Sequence, residues 1–236
     1  MDTSKGGLAL SKLAKILALD EVDLEEKVRV LIETLKTELK ELPRENTRTI
    51  RKVKRWLNQL DYVTKGLKKI TSKLMKQLEK DLKLKLPDAE LLHIAMFQPS
   101  TRNLFMEIHL YYMHKNEYPI EEADFKNLES LSDMGRVLAM IGDSAIELAV
   151  IHHLWRERTS DAGEITQQRA EIISNENMAR LCDRWNLYST RIHFDPVTTT
   201  KSEMEHIKGT LLEAVYGIVY INEGFDKIID TVKLLM

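Results

Sequence analysis

The sequence predicts an all-α protein, and three observations carry that prediction. Apolar residues recur at spacings of three and four over most of the chain, the period of a helix with one buried face. The five prolines stand between periodic stretches rather than inside them. Pro43 and Pro87 bracket one, Pro99 and Pro119 break the next region, Pro196 sits in a late loop, and the span from Pro119 to Pro196 holds none. The alternating pattern of a strand is nearly absent, its best instance being a few residues around Ile192 and Phe194.

The elements follow in order. Leu24, Val28, Leu31, Ile32, Leu35, Leu39 and Leu42 share one helical face. After a cap at Asn46 or Thr47, Ile50, Val53, Leu57, Leu60, Leu67, Ile70, Leu74 and Leu78 form a second stripe, on a long helix that is continuous or bends near Gly66. Helices are expected over 89–97 and 101–115, separated by Gln98-Pro99-Ser100, and over 121–131. From Asp133, a capping candidate, a long and partly buried helix follows. Three more, over Ile165–Trp185, Gly209–Tyr220 and Phe225–Met236, complete the set.

Charge divides the chain more sharply than its total of −2 suggests. Residues 1–43 carry a net −2, residues 44–86 hold 14 basic and 4 acidic side chains for a net +10, and residues 87–236 carry a net −10. Such asymmetry points to a polyanion partner or to internal pairing. The lysines and arginines of 44–86 lie largely off the apolar stripe. They form either a solvated face on a packed helix or a surface for phosphates.

Several classes are set aside. The opening residues lack the cationic head, apolar core and cleavage site of a signal peptide, and no apolar run approaches the roughly 18–20 residues of a membrane span. A single cysteine, Cys182, excludes an intrachain disulfide and a cysteine-rich zinc site, so a reducing cytoplasmic location is expected and no membrane. Next to Asp183, Cys182 has no reason to act as a nucleophile. The histidines show no HExxH spacing, and no phosphate-loop, dinucleotide or nucleophile-elbow motif occurs.

Two carboxylate positions stand out. Asp143 and Glu147, four apart, share a helix face. Glu213 is embedded in the apolar stretch GTLLEAVYGIVY, where a charge is paired, exposed at the helix edge or a metal ligand. The order of segments adds more than either position. RVLAMIGDSAIEL (136–148) resembles the ribonuclease III signature, approximately RLEFLGDAVLEL. GEITQQR (163–169) followed by SNENMAR (174–180) resembles that family's second stretch, and EAVYGIVYINEGF (213–225) its closing one. Upstream, AMFQPS (95–100) is similar to its A-L-T-H-x-S element. The four pieces cover residues 89–236, with an unusual insertion near 104–131.

The resemblance implies an all-helical, dimeric ribonuclease III-like domain at 88–236 that cleaves double-stranded RNA by magnesium-dependent hydrolysis. A helical extension, residues 1–87, precedes it. Each active site of the family takes two carboxylates four residues apart on the signature helix and two more three apart on the late helix, converging on hard cations. Asp143 and Glu213 match one member of each pair, as residual catalytic or metal residues. The other members are Ala139 and Thr210, the additional upstream acid is Arg136, and the histidine of the T-H-x-S element is Gln98. The resemblance also leads one to expect a double-stranded-RNA-binding domain after the last helix, where this sequence stops at Met236.

The expectation is therefore a homodimer that binds double-stranded or structured RNA, with cleavage weakened or lost. Lys65, Lys68, Lys69, Lys73, Arg51 and Arg55 are its candidate RNA-binding residues, substituting for the expected second domain. Asp143 and Glu213 are otherwise expected to pair with Arg136, Arg169 or a backbone amide. One alternative is an active endoribonuclease in RNA processing, using Mg²⁺ or Mn²⁺ at Asp143 and Glu213; without cleavage no cofactor is implied. Another is a helical assembly protein with no RNA partner.

Overall fold

In a computed structural model, residues 22–156, 161–195 and 200–236 are described. The loop position Pro196 and the reading of the opening residues lie outside them. The described residues form helices joined by short connections, with one isolated β-bridge between Phe97 and Ile192. Helices α1 (Leu24–Glu41) and α2 (Thr47–Lys69) form an antiparallel-patterned pair, and α2 continues through a π-helical turn (Ile70–Leu74) into α3 (Met75–Leu82). Then come α4 (Glu90–Met96), a 3₁₀ turn (Pro99–Thr101), α5 (Arg102–Lys115), α6 (Glu122–Glu129) and α7 (Leu131–Arg156). The chain ends with α8 (Ala162–Ile172), α9 (Asn175–Arg184), α10 (Leu187–Thr190), α11 (Lys201–Glu223) and α12 (Phe225–Thr231).

The long basic helix does not break at Gly66. It buries Val53, Trp56, Leu60, Val63, Leu67, Ile70, Leu74, Leu78 and Leu82 along one side, each worth roughly 2 kcal/mol of hydrophobic stabilisation. From Ile70 onward these residues are spaced by four, which on an ideal α-helix rotates the stripe by about 40° per step. The wider π turn at Ile70–Leu74 turns it back, so Leu78 and Leu82 still face the core. At that turn the Thr71 hydroxyl donates to the Leu67 carbonyl (3.2 Å) and meets the buried His93 ring at 2.9 Å.

The expected last helix, Phe225–Met236, ends at Thr231 and passes into a 3₁₀ turn, Val232–Leu234, and three further boundaries differ from expectation. Helix α7 starts at Leu131, so Asp133 lies within its first turn rather than at its cap. The stretch Ile165–Trp185 is two helices, because the Ser174 hydroxyl accepts from the Asn177 amide and starts α9 afresh. Helix α11 begins at Lys201, eight residues before Gly209, behind a capping box of Thr200 and Glu203. The strand-like pattern around Ile192 resolves to a single bridge, in which the Ile192 amide donates to the Met96 carbonyl (2.8 Å) and the Gln98 amide to the Ile192 carbonyl (3.0 Å).

One helix is long and apolar enough, by length and composition, to cross a bilayer: Leu131–Trp155. That corrects the expectation that none approaches such a span. Its packing is that of a core helix, with Leu138, Ile146, Ala149 and Val150 buried and its most extensive contact made with α11. Buried residues from Val22 to Leu235 form one continuous core.

Candidate functional site

The site is built where α7 crosses α11. A Cβ on Gly142 would lie 1.8 Å from the Glu213 carbonyl oxygen, and one on Gly217 would lie 2.1 Å from that of Leu138. Only glycine permits this approach, and it brings the carboxylates of Asp143 and Glu213 into one electrostatic neighbourhood. Burial pushes the Glu213 carboxyl up to about 7, and the charge of Asp143 adds to the shift.

Neither carboxylate has a hydrogen-bond or ion-pair partner among the described residues. The cations expected beside them are engaged elsewhere: Arg136 pairs with Asp133 one turn back (3.4 Å), and Arg169 with Glu147 (3.8 Å). The expectation that Asp143 and Glu213 pair with Arg136, Arg169 or a backbone amide is thus corrected. Ala139 is buried and Thr210 half-buried. One further oxygen approaches, which the spacing argument missed. The Asn175 side-chain oxygen lies 3.4 Å, and Glu213 Oε1 3.8 Å, from the point where a Cβ on Gly209 would sit. Its signal in the sequence was the SNE string, read above only as a family resemblance.

Among the described residues no group of three or more His, Cys, Asp or Glu side chains could hold a metal ion. The two carboxylates, Asp143 and Glu213, are half the set that the resemblance implies, and a Mg²⁺ ion held by them would complete its octahedron with waters or substrate phosphates.

Gln98, Arg136 and Thr210, at which the resemblance leads one to expect a histidine and two acids, line one pocket of about 330 Å³ between α4, α7 and α11. Phe97, Asp195 and His206 join them there, and none of these three could be assigned from local spacing. Asp143 and Glu213 stand outside that lining.

The basic helix presents a different picture. All 14 basic side chains of residues 44–86 are exposed. Arg55 meets Glu107 of α5, Lys65 pairs with Asp61 on its own helix (2.6 Å), and Lys69 donates to the Ser189 carbonyl (3.0 Å). Arg51, Lys68 and Lys73 form no ion pair with any described residue. None of the six candidate RNA-binding residues pairs with Asp143 or Glu213. The helix packs on the acidic body through its apolar stripe, and among the described residues Arg55 is the only base of 44–86 to pair with an acid of that body. Internal neutralisation of +10 by −10 is therefore not what the side chains do.

On α7, Val137, Met140, Leu148, Ile151 and Trp155 form an exposed apolar stripe, Met140 and Trp155 being 70% and 69% accessible. Cys182 is buried and its thiol is pushed up to about 12, first by burial, in keeping with an inert residue.

An all-helical protein organised around a glycine crossing with an acid on each helix is the class these features define. Residues 136–224 match the model of the Ribonuclease III domain. The chain is similar to Ribonuclease 3 of Clostridium acetobutylicum (24% identical over 110 residues, 45% of this chain and 47% of the relative). It is also similar to Ribonuclease 3 of Oceanobacillus iheyensis (29% over 108 residues, 45% and 47%). Endoribonuclease Dicer homolog 3b of Oryza sativa subsp. japonica is 26% identical over 113 residues, which are 38% of this chain and 7% of that one. Among solved structures, the nuclease domain of ribonuclease III from Campylobacter jejuni matches at 19% identity with a TM-score of 0.46, covering 68% of this chain and 94% of that one. The chain spans about half the length of the two bacterial relatives.

Proposed function

We propose that this protein binds double-stranded or structured RNA as a homodimer, with cleavage weakened or lost. In this reading the ribonuclease III-like domain at 88–236 holds the fold, and the basic face of the extension at 1–87 holds the phosphates. One observation carries it. The basic side chains of 44–86 point outward and stay almost entirely free of the acidic body, which leaves them to a polyanion. The match of residues 136–224 to the Ribonuclease III domain supports RNA as that polyanion.

Loss of cleavage is supported by the two-carboxylate site and by the cation Arg136 one turn before Ala139. The competing reading, an active nuclease, is favoured by one fact: Asp143 and Glu213 have no ion-pair partners among the described residues, as ligands awaiting a cation would. A homodimer is supported by the exposed stripe of α7, since contiguous apolar surface of this kind marks an interaction site.

A gel-shift titration with duplex RNA separates these readings. Charge reversal of Lys65, Lys68, Lys69 and Lys73 should weaken binding and flatten the salt dependence by about 0.9 logarithmic units per phosphate contact removed. An unchanged slope rejects the basic face, and no shift even at low salt favours protein assembly without RNA. Adding Mg²⁺ or Mn²⁺ should leave the duplex intact; products that vanish in Asp143→Asn would restore the nuclease. In light scattering the protein should run as a dimer and Met140→Glu as a monomer.

A further inference from the structure

The pocket between α4, α7 and α11 occupies ground that the family resemblance assigns to a histidine and acids, yet its chemistry no longer suits a metal. Its floor is apolar, formed by Phe97 and Leu211, each 2% exposed, and Ala214, 1% exposed. Its rim carries the amide of Gln98, the hydroxyl of Thr210, the imidazole of His206 and the guanidinium of Arg136. Donors and acceptors are mixed there. Asp195 also stands on the rim, and Arg136 already has Asp133 as counter-ion (3.4 Å), so the pocket is not a strongly cationic anion hole. The Thr210 hydroxyl has no hydrogen-bond partner among the described residues. The Gln98 amide group makes one long bond, to the Phe97 carbonyl (3.4 Å). Both are free to serve a ligand.

A volume near 330 Å³ with an apolar floor and a few convergent polar groups is the form of a small-molecule site. The flat, amphipathic group that such a rim recognises is a nucleobase, stacked against planar side chains and hydrogen-bonded along its edge. The pocket is also joined to the basic helix. Its wall at Phe97 is bridged to Ile192, Ile192 lies against Gly66 of α2, and the neighbouring Phe194 ring packs on Tyr62 with centroids 5.7 Å apart. Lys65 and Lys69 flank that contact on the same helix. We infer that the pocket takes one unstacked base of the RNA, at a bulge or an unpaired end, while the basic face holds the flanking phosphates. The inference rests on the RNA-binding reading above and assigns it a preference for unpaired nucleotides.

The test uses three short RNA duplexes: one fully paired, one with a single bulged adenosine, and one with an abasic spacer at the bulge. The abasic form keeps the flexible backbone and removes only the base. The bulged adenosine should bind about tenfold more tightly than the abasic form, the scale of one stacked base. Filling the pocket with Thr210→Leu should bring that ratio to near one, and His206→Ala, at an exposed position, should lower it without disturbing the core. Equal affinity for adenosine and abasic bulges, or a ratio indifferent to both substitutions, overturns the pocket. A second measurement separates it from the RNA reading: adenosine monophosphate titrated into the free protein should shift the His206 ring resonances. That shift without duplex affinity would retain the pocket and reject the RNA reading. Salt-dependent duplex binding with no shift and no bulge preference would do the reverse.

Discussion

The α7–α11 crossing and the α2–α3 helix are held by opposite means. At the crossing two backbones meet so closely that the side chains of residues 142 and 217 must be hydrogen, while the carboxylates beside them have no ion-pair partner among the described residues. Along α2–α3 the reverse holds: a stripe of large side chains does the packing, and every basic side chain faces water. In the first region identity is set by steric necessity and in the second by sidedness. Substitution should therefore be severe and residue-specific at the crossing, and mild on the outer face of the helix.

The largest effect should come from Gly142→Ala or Gly217→Ala. A methyl group placed about 2 Å from a carbonyl oxygen must push the helices apart, costing about 3 kcal/mol or more. Urea melts would show it as a lowered midpoint. Gly209→Ala on the same helix is the control, because its Cβ would make only ordinary contact, 3.4 Å from Asn175 Oδ1. Higher helix propensity should stabilise that variant by up to about 1 kcal/mol. Equal losses at all three glycines would dissolve the contrast.

Next in size is Glu213→Gln. A carboxyl raised from 4.5 to about 7 in the folded state favours folding only while it is protonated. It imposes no cost below pH 4.5, a growing cost as pH rises through 7, and a constant one above. Allowing for solvent screening of this half-buried group, the glutamine variant should be more stable by about 2 kcal/mol at pH 8 and unchanged at pH 4. A pH-independent difference would mean that the charge of Asp143 and burial do not act as described.

The smallest effect belongs to the basic face. Lys68→Glu and Lys73→Glu should each leave the melting midpoint within about 0.5 kcal/mol of the parent, since neither side chain is buried or paired with a described residue. A large loss would show that the face is structural after all.

How much of this was legible in the sequence follows the same division. Helices with a sided apolar pattern were readable, from Leu24 through Leu78, and so was the all-α class. Asp143 and Glu213 were placed by motif order, and the structure does bring them near one another. The π turn was not readable, because the spacing of Ile70, Leu74 and Leu78 differs from an ordinary stripe only by one residue's drift. The break at Ser174 was missed because the apolar period runs on across it. The pocket was beyond any local argument: Phe97, Asp195 and His206 meet Arg136 through the Phe97–Ile192 bridge and the packing of α4 and α11 on α7. Arg136 itself was identified, but its partner, Asp133, had been read as a helix cap.

The glycine crossing also bears on how such a protein is recognised. Gly142 and Gly217 lie inside the strings that carry the family likeness, and both are required by the meeting of two backbones rather than by any reaction. A side chain beside the crossing can be exchanged without opening it; these glycines cannot be exchanged without pushing the two helices apart. The likeness to that family is thus carried in part by the closest contact of the fold, whatever chemistry stands beside it.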